Sequence, residues 1–409
     1  MNRVFLMLVF FLYAAEALAE ITFEPPVKIN DSASQTNFLD TYSSGQHSIA
    51  VNKGNIAIVW NDSRNGNNDV FFSFSSDDGK TFSRNTRVND DKGDSNQWYG
   101  AVALDKNSTA YAVWEDDRDG KSRIYFAKRE AKKDSFTMNI PVVSDKNIEQ
   151  FGPAIAVNKK SEIYIAWHDN RNGNNDIFIA KSRDSGKSFE KPVRVDDTGN
   201  NQNDQIYPTI AVDNKNNVYI AWYDYRHENS DIYFAKSNDN GKTFSKNIKV
   251  NFGEDERGKT GQNSPSIGRD SNGNIYLTWE DKRNSKTGSD VYFSRLAEKG
   301  DEFEKNIHID DEDAESSSQN YPSIAVNEKG LIVIAWDDDR LGASDIYLSY
   351  SKDEGKGFSK NFGLGIKNGK HRTAPSIAVD DEGNIYFIYQ EWEKEKKGND
   401  IYFVKGRIK

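Results

Sequence analysis

A tryptophan, an aspartate and an arginine return at fixed spacing along this 409-residue chain, and the residues between them change from copy to copy. The six copies are Trp60-Asn-Asp62-Ser-Arg64, Trp114-Glu-Asp116-Asp-Arg118, Trp167-His-Asp169-Asn-Arg171, Trp222-Tyr-Asp224-Tyr-Arg226, Trp279-Glu-Asp281-Lys-Arg283 and Trp336-Asp-Asp338-Asp-Arg340. The changing positions carry Glu115, Asp117, His168, Tyr223, Tyr225, Glu280, Lys282, Asp337 and Asp339. Two carboxyl groups from such a set, one protonated and one ionised, are what cleavage of a glycosidic bond requires. A second series stands three residues before each short apolar run that opens a unit: Gln97, Gln150, Gln205, Gln262 and Gln319, with Arg372 in the last unit. Tyr99, Tyr207 and Tyr321 follow two residues later. Amides, phenol rings and one guanidinium suit a sugar or a carboxylate ligand.

The invariant pairs read differently. A residue kept in six units answers a need that recurs six times, so Asp62 with Arg64, Asp116 with Arg118, and their counterparts are expected to pin the loop after the second strand. As exposed ion pairs each would contribute only ~0–1 kcal/mol. Loops such as 62–69 offer oxygen ligands for calcium, but an arginine sits in the middle of each and no EF-hand pattern occurs, so no cofactor is expected, with calcium as the alternative.

These positions need elements to hold them. The copies recur every 53 to 57 residues, with Tyr389-Gln-Glu391-Trp392 as a degenerate seventh, a period in the propeller range. The fourth unit shows the plan: Thr209 to Val212, Asn217 to Trp222, Asp231 to Lys236 and Phe244 to Val250 are four strands separated by turn residues. The inner ones are apolar on both faces, as a blade packed between two neighbours requires. The seventh unit ends after its third strand, Asp400 to Val404. Its missing outer strand stands at the other end of the chain, where Phe23-Glu-Pro-Pro-Val-Lys-Ile-Asn-Asp31 matches Phe189-Glu-Lys-Pro-Val-Arg-Val-Asp-Asp197. The expected fold is an all-β propeller of seven four-stranded blades over residues 20–409, closed by segment 20–31, which removes the exposed edges of an open ring. In such a ring the loops leading into each first strand share a face with those joining strands two and three.

Residues 1–19, with an apolar run and Ala17-Leu18-Ala19 before Glu20, read as a signal peptide, which predicts export to the periplasm or the medium. No later segment has the apolar length of a membrane span. There is no cysteine, and the formal charge of −10 disfavours nucleic acid. Two local departures stand out as possible shapers of a partner surface: Arg123, in the slot where other units have Asp, and the charged insertion 253–260.

Between strands three and four lie Ser75-x-Asp77-x-Gly79-x-Thr81-Phe82, Ser182-x-Asp184-x-Gly186-x-Ser188-Phe189, Ser237-x-Asp239-x-Gly241-x-Thr243-Phe244 and Ser351-x-Asp353-x-Gly355-x-Gly357-Phe358. These resemble the Asp box of the sialidase superfamily. The second and fifth units keep only the aromatic residue, Phe136 and Phe303. The resemblance implies a propeller with the boxes on the face opposite the variable loops. For a sialidase it further implies six blades, an Arg-Ile-Pro segment and an arginine triad. This sequence has seven units and Phe23-Glu-Pro-Pro near its start, so no catalytic residue is carried over. The expectation is a non-catalytic module that binds a glycan or protein on the loop face. Arg372, Tyr99, Tyr207, Tyr321, the glutamines, His168 and Tyr223 would line it. A sialidase-like glycoside hydrolase is the alternative, and a structural scaffold comes third.

Overall fold

The computed structural model describes residues 21–31, 37–39, 47–199, 202–252, 260–283, 288–310, 317–365, 369–393 and 398–409. The signal-peptide expectation for 1–19 and most of the insertion 253–260 lie outside the described residues. Seven antiparallel sheets form a propeller. In the fourth, Gln205–Val212, Val218–His227, Asn229–Ser237 and Ile248–Lys249 run from the inner to the outer edge. The outer strand is shorter than the sequence suggests because only Ile248 and Lys249 pair with the third strand.

The ring closes as expected. Val27–Lys28 pairs with Tyr402 and Phe403, just as Val193–Arg194 pairs with Phe178 and Ile179 in the third blade. A second contact was not foreseen: the last strand, Asp400–Ile408, is long enough for Ile21–Phe23 to pair with Gly406 to Ile408.

Apolar layers lie between blades rather than inside one central core. One such layer joins Tyr164, Ala166 and Ile179 of the third blade to Ile220, Trp222 and Ala235 of the fourth. Burial of both sheet faces explains the near-continuous apolar second strands, such as Ile163–Asp169.

The Asp boxes are turns of the kind the sequence implied. Asp77 accepts the Thr81 N–H and hydroxyl at 2.9 and 2.6 Å, and Ser75 Oγ accepts the Gly79 N–H at 2.9 Å. Thr81 and Ser75 hold the Asp77 carboxyl down at about 2, and Asp184, Asp239 and Asp353 are lowered likewise by Ser188, Thr243 and Ser351. The glycine is required twice over. Gly186 has φ +80°, and a Cβ there would lie 2.3 Å from the Phe126 ring of the preceding blade. Before Gly241 the neighbouring ring is replaced by Ile179, and the same Cβ would find its nearest contact at 3.8 Å.

The Trp-Asp-Arg pairs hold more than a loop, and they are not exposed. Asp62, Asp116, Asp169, Asp224, Asp281 and Asp338 are buried. Each accepts from the indole N–H two residues earlier and from the arginine two residues later, as Asp116 does from Trp114 at 2.8 Å and from Arg118 at 2.7–3.0 Å. Arg64, Arg118, Arg171, Arg226, Arg283 and Arg340 then lie 3.9–4.5 Å above a ring of the third strand. Several reach further. Arg118 joins Asp90 of the preceding blade at 2.6 Å and Asn139 of its own outer strand at 3.0 Å, and Asn139 donates to Val88 O across the junction. Arg64 with Asp31 and Asn85, and Arg226 with Asp197 and Asn247, repeat the stitch. In the loop 62–69 the carboxylates are already engaged: Asp62 by Arg64, and Asp69 by Asn65, Arg87 and Asn89.

Candidate functional site

Six inner strands share a distortion the sequence reading did not foresee. Pairing with the second strand slips between Trp98 and Ala101, Phe151 and Ala154, Ile206 and Thr209, Asn263 and Ser266, Asn320 and Ser323, and Thr373 and Ser376. At each slip one residue takes positive φ: Tyr99, Gly152, Tyr207, Ser264, Tyr321 and Ala374, at 50–56°. Proline follows in five cases and Gly100 in the sixth, so the residue after each bend does not rely on a ladder N–H as an ordinary strand residue would. A bulge of this kind re-aims a side chain, and non-glycine residues held at positive φ are strained positions typical of functional sites.

In five blades the second-strand residue one before the stitched Asp reaches across to the bulge of the next blade, whereas Asn61 of the first donates to Gln97 O. Glu115 Oε2 accepts the Gly152 N–H at 3.3 Å, and His168 Nδ1 accepts the Tyr207 N–H at 3.2 Å. The Tyr223 hydroxyl donates to Ser264 Oγ at 3.3 Å. Glu280 is held by the Tyr321 N–H and Asp337 by the Ala374 N–H. The sequence reading singled out these variable positions, and the structure brings them to the blade junctions around the channel.

Gly152 stands where other bulges carry a side chain, and the notch left by that absence is filled by the Tyr207 ring. A Cβ on Gly152 would lie 2.8 Å from the Tyr207 ring and 3.1 Å from the His168 ring. Tyr207 leans into the space, with ring centroids 5.0 Å from His168, 5.7 Å from Tyr223 and 6.0 Å from Tyr99, while Phe151 stacks on His168 at 5.6 Å. Tyr99 and Tyr207 are half-buried.

The electrostatics of these junctions are unusual. Burial raises the Glu115 carboxyl to about 7, with Asp117 adding to the rise and Ser122 and the Gly152 N–H opposing it too weakly. Burial raises Glu280, against the pull of Lys282, whose Nζ is 3.7 Å away. Asp337 is raised well above the carboxylate range by burial and then by Glu280, and its Oδ1 has no hydrogen-bond donor. Burial also keeps His168 neutral, with its pKa down at about 3. Because Nδ1 accepts from Tyr207, the imidazole proton sits on Nε2. Clustered perturbed groups at neighbouring blade junctions make these positions a functional-site candidate on physical grounds.

Two expectations are corrected. Gln97, Gln150, Gln205, Gln262 and Gln319 do not form an amide ring open to the channel mouth, since all are at most 1% exposed. Their amides bind inside the blades: Gln150 accepts the Ile124 N–H at 3.0 Å, and Gln262 accepts from Asn251 at 3.1 Å. Arg372 is 1% exposed, 3.1 Å from both Asp345 and Glu391, and is not a cation awaiting a ligand. Arg123 is buried as well, bonded to Asp119 and Val143 O. Tyr321 is half-buried at its bulge, away from the Gly152 notch.

The opposite face carries a wide hollow of about 830 Å³ whose rim includes Asp78, Glu328, Asp380 and Asp381. Its carboxylates have ordinary work. Asp380 accepts turn amides and Asn384, and Glu328 is lowered by Arg269 despite partial burial.

No protein-family profile matches the chain, and no curated protein matches it in sequence. Solved structures do match in fold. An ulvan lyase of polysaccharide lyase family PL25, bound to -[GlcA(1-4)Rha3S]-, aligns with TM-score 0.66 at 12% identity over 92% of this chain and 96% of that one. The polysaccharide lyase Uly1 aligns with TM-score 0.64 at 9% identity over 95% of this chain and 100% of that one. A protein of unknown function from Dyadobacter fermentans DSM 18053 aligns with TM-score 0.57 at 12% identity over 96% and 100%. The chain thus shares its seven-bladed fold with propellers of carbohydrate-active enzymes. At these identities the likeness is one of fold.

Proposed function

We propose that the chain is a carbohydrate-active enzyme, exported from the cell, that cleaves a glycosidic bond at the Gly152 notch. The observation that carries this reading is the convergence on Gly152 of a carboxyl with a pKa about 7, a neutral imidazole and the half-buried Tyr207 ring, which has Tyr99 beside it at 6.0 Å. A pure binding site has no need to hold a proton on a buried carboxyl at neutral pH, whereas a general acid does. Glu115 gives the proton to the departing glycosidic oxygen while a water molecule adds to the anomeric carbon, and the proton that water releases to solvent is replaced on Glu115 from solvent. The Tyr99 and Tyr207 rings bed the sugar, and His168 presents its Nε2–H as a fixed donor. Glu280 and Asp337 add a second pair of raised carboxyls, linked to the notch through Tyr223, whose hydroxyl is raised by burial and then by Glu280. The fold neighbours described as polysaccharide lyases support a polysaccharide as the substrate class.

The test is incubation of the purified protein with a panel of neutral, uronate-containing and sialylated glycans, following both new reducing ends and the ultraviolet absorbance of unsaturated uronate. New reducing ends without that absorbance are expected. Unsaturated product would replace hydrolysis by elimination at the same notch. Binding without any turnover would return the protein to the non-catalytic reading.

A further inference from the structure

A second site lies in the fifth blade, where the third strand begins. At the start of that strand most blades place an aspartate that pairs with a permanent cation. Asp69 has Arg87 at 3.3 Å, Asp176 has Arg194 at 2.6 Å, Asp231 has Lys249 at 2.9 Å, Asp345 has Arg372 at 3.1 Å and Asp400 has Lys28 at 2.7 Å. Most of these cations come from the outer strand. The sixth blade has Gly363 at that position, and Arg372 of the next blade takes over. In the second blade Arg123 replaces the aspartate, and the outer strand supplies Pro141 instead of a cation. Charge at this position is therefore balanced blade by blade.

In the fifth blade the aspartate is Asp290, the outer-strand residue is His308, and a second carboxylate, Asp310, follows two residues later. One ligand atom from each of the three lies within 4.8 Å of the others. The third blade, which also has two carboxylates, shows what belongs between them. There Arg194 Nη2 sits 2.6 Å from Asp176 Oδ1 and 2.7 Å from Asp196 Oδ1. The Asp196 carboxylate is oriented by the Ile177 N–H on Oδ2 at 3.0 Å, and Asp310 is oriented identically by the Val291 N–H on Oδ2 at 2.9 Å. Asp310 Oδ1 thus points to the place the guanidinium fills in the third blade. The Asp310 side chain is fully buried; its Oδ2 also lies 2.9 Å from His308 Nε2, and its Oδ1 has no donor.

We infer that Asp290, His308 and Asp310 form a divalent-cation site, with the metal standing where sister blades place an arginine or lysine. Two carboxylate oxygens and one imidazole nitrogen suit a borderline cation such as Zn²⁺. His308 is stacked on Tyr292 at 5.1 Å, which fixes its ring, and it is 36% exposed, which leaves room for water to complete the coordination. A metal here would tie the outer strand of the fifth blade to its third, the task Arg194 performs in the third blade.

Zn²⁺ binding by the chelator-stripped protein at neutral pH, measured by equilibrium dialysis with metal analysis, tests this. The wild type is expected to retain one equivalent and to gain about 2 °C or more in Tm at saturating Zn²⁺. His308→Arg, which installs the third blade's own solution, keeps the fold by circular dichroism and loses both the bound metal and the Tm response. Asp310→Asn loses them too, whereas Asp196→Asn in the third blade does not. Absence of retained Zn²⁺, retention undiminished in His308→Arg, or preference for Ca²⁺ over Zn²⁺ would overturn the assignment. So would a wild-type Tm that ignores metal but falls as His308 deprotonates, because imidazolium would then be the balancing charge.

Discussion

Glu115 and Asp116 are neighbours on one strand and point to opposite sides of it. Asp116 receives Trp114 Nε1–H and three donors from Arg118, so every lone pair that burial strips of water is repaid by the protein. Glu115 receives the Gly152 N–H and the opposing pull of Ser122, with no cation, and holds its proton up to about pH 7. The same contrast separates Asp281 from Glu280 and Asp338 from Asp337. Architecture and chemistry are thus split between alternate faces of the second strand. The outer side is satisfied six times over, and the channel side carries residues that differ from blade to blade and are poorly neutralised.

The comparison can be broken most forcefully on the architectural side. Asp116→Ala leaves Arg118 with Asp90, Asp91 and Asn139 and takes the acceptor from the Trp114 indole, and should cost about 3 kcal/mol in chemical denaturation. A loss below about 1 kcal/mol would show the stitch to be ornamental. Glu115→Gln should do the reverse. A carboxyl whose folded pKa is raised contributes stability that is present below its unfolded value near 4.5 and is lost as pH rises through about 7. The wild type should therefore lose on the order of 3 kcal/mol between these limits through this group. Glu115→Gln should flatten that slope and be the more stable protein at pH 8, as checked by denaturation across pH. A slope unchanged by the substitution would place the proton elsewhere. The smallest effect is expected from Tyr207: replacement by Phe keeps the ring and should leave KM nearly unchanged, while Tyr207→Ala should raise it about tenfold. Equal effects of the two would give the work to the hydroxyl instead.

Much of this molecule is legible in its sequence because repetition speaks seven times. The blade count, the four strands and the closing match of Phe23 to Asp31 all rest on self-similarity, and the paired Val27–Lys28 strand bears out that match. The glutamines misled for the same reason. Their regularity was visible, but their pairing opposite the buried Asp of the second strand, which sets them inside the blade, was not. The notch escaped notice because it is marked by a missing side chain: Gly152 occupies a slot that carries tyrosine in three sister blades, and its only signal was that departure. Arg372 looked like a lone cation because its partner Asp345 comes from the preceding blade, 27 residues away. The Asp box described its turn faithfully and left the chemistry of the other face unspecified.

The most direct test of the central claim is turnover by Glu115→Gln on whichever glycan the wild type cleaves, measured across pH beside its Tm. The proposed role predicts that wild-type kcat falls as pH rises through about 7, and that the folded variant loses 10²-fold or more in kcat with KM little altered. A folded Glu115→Gln variant that retains wild-type turnover and the same pH limb would contradict it, and would make the Gly152 notch a feature of packing.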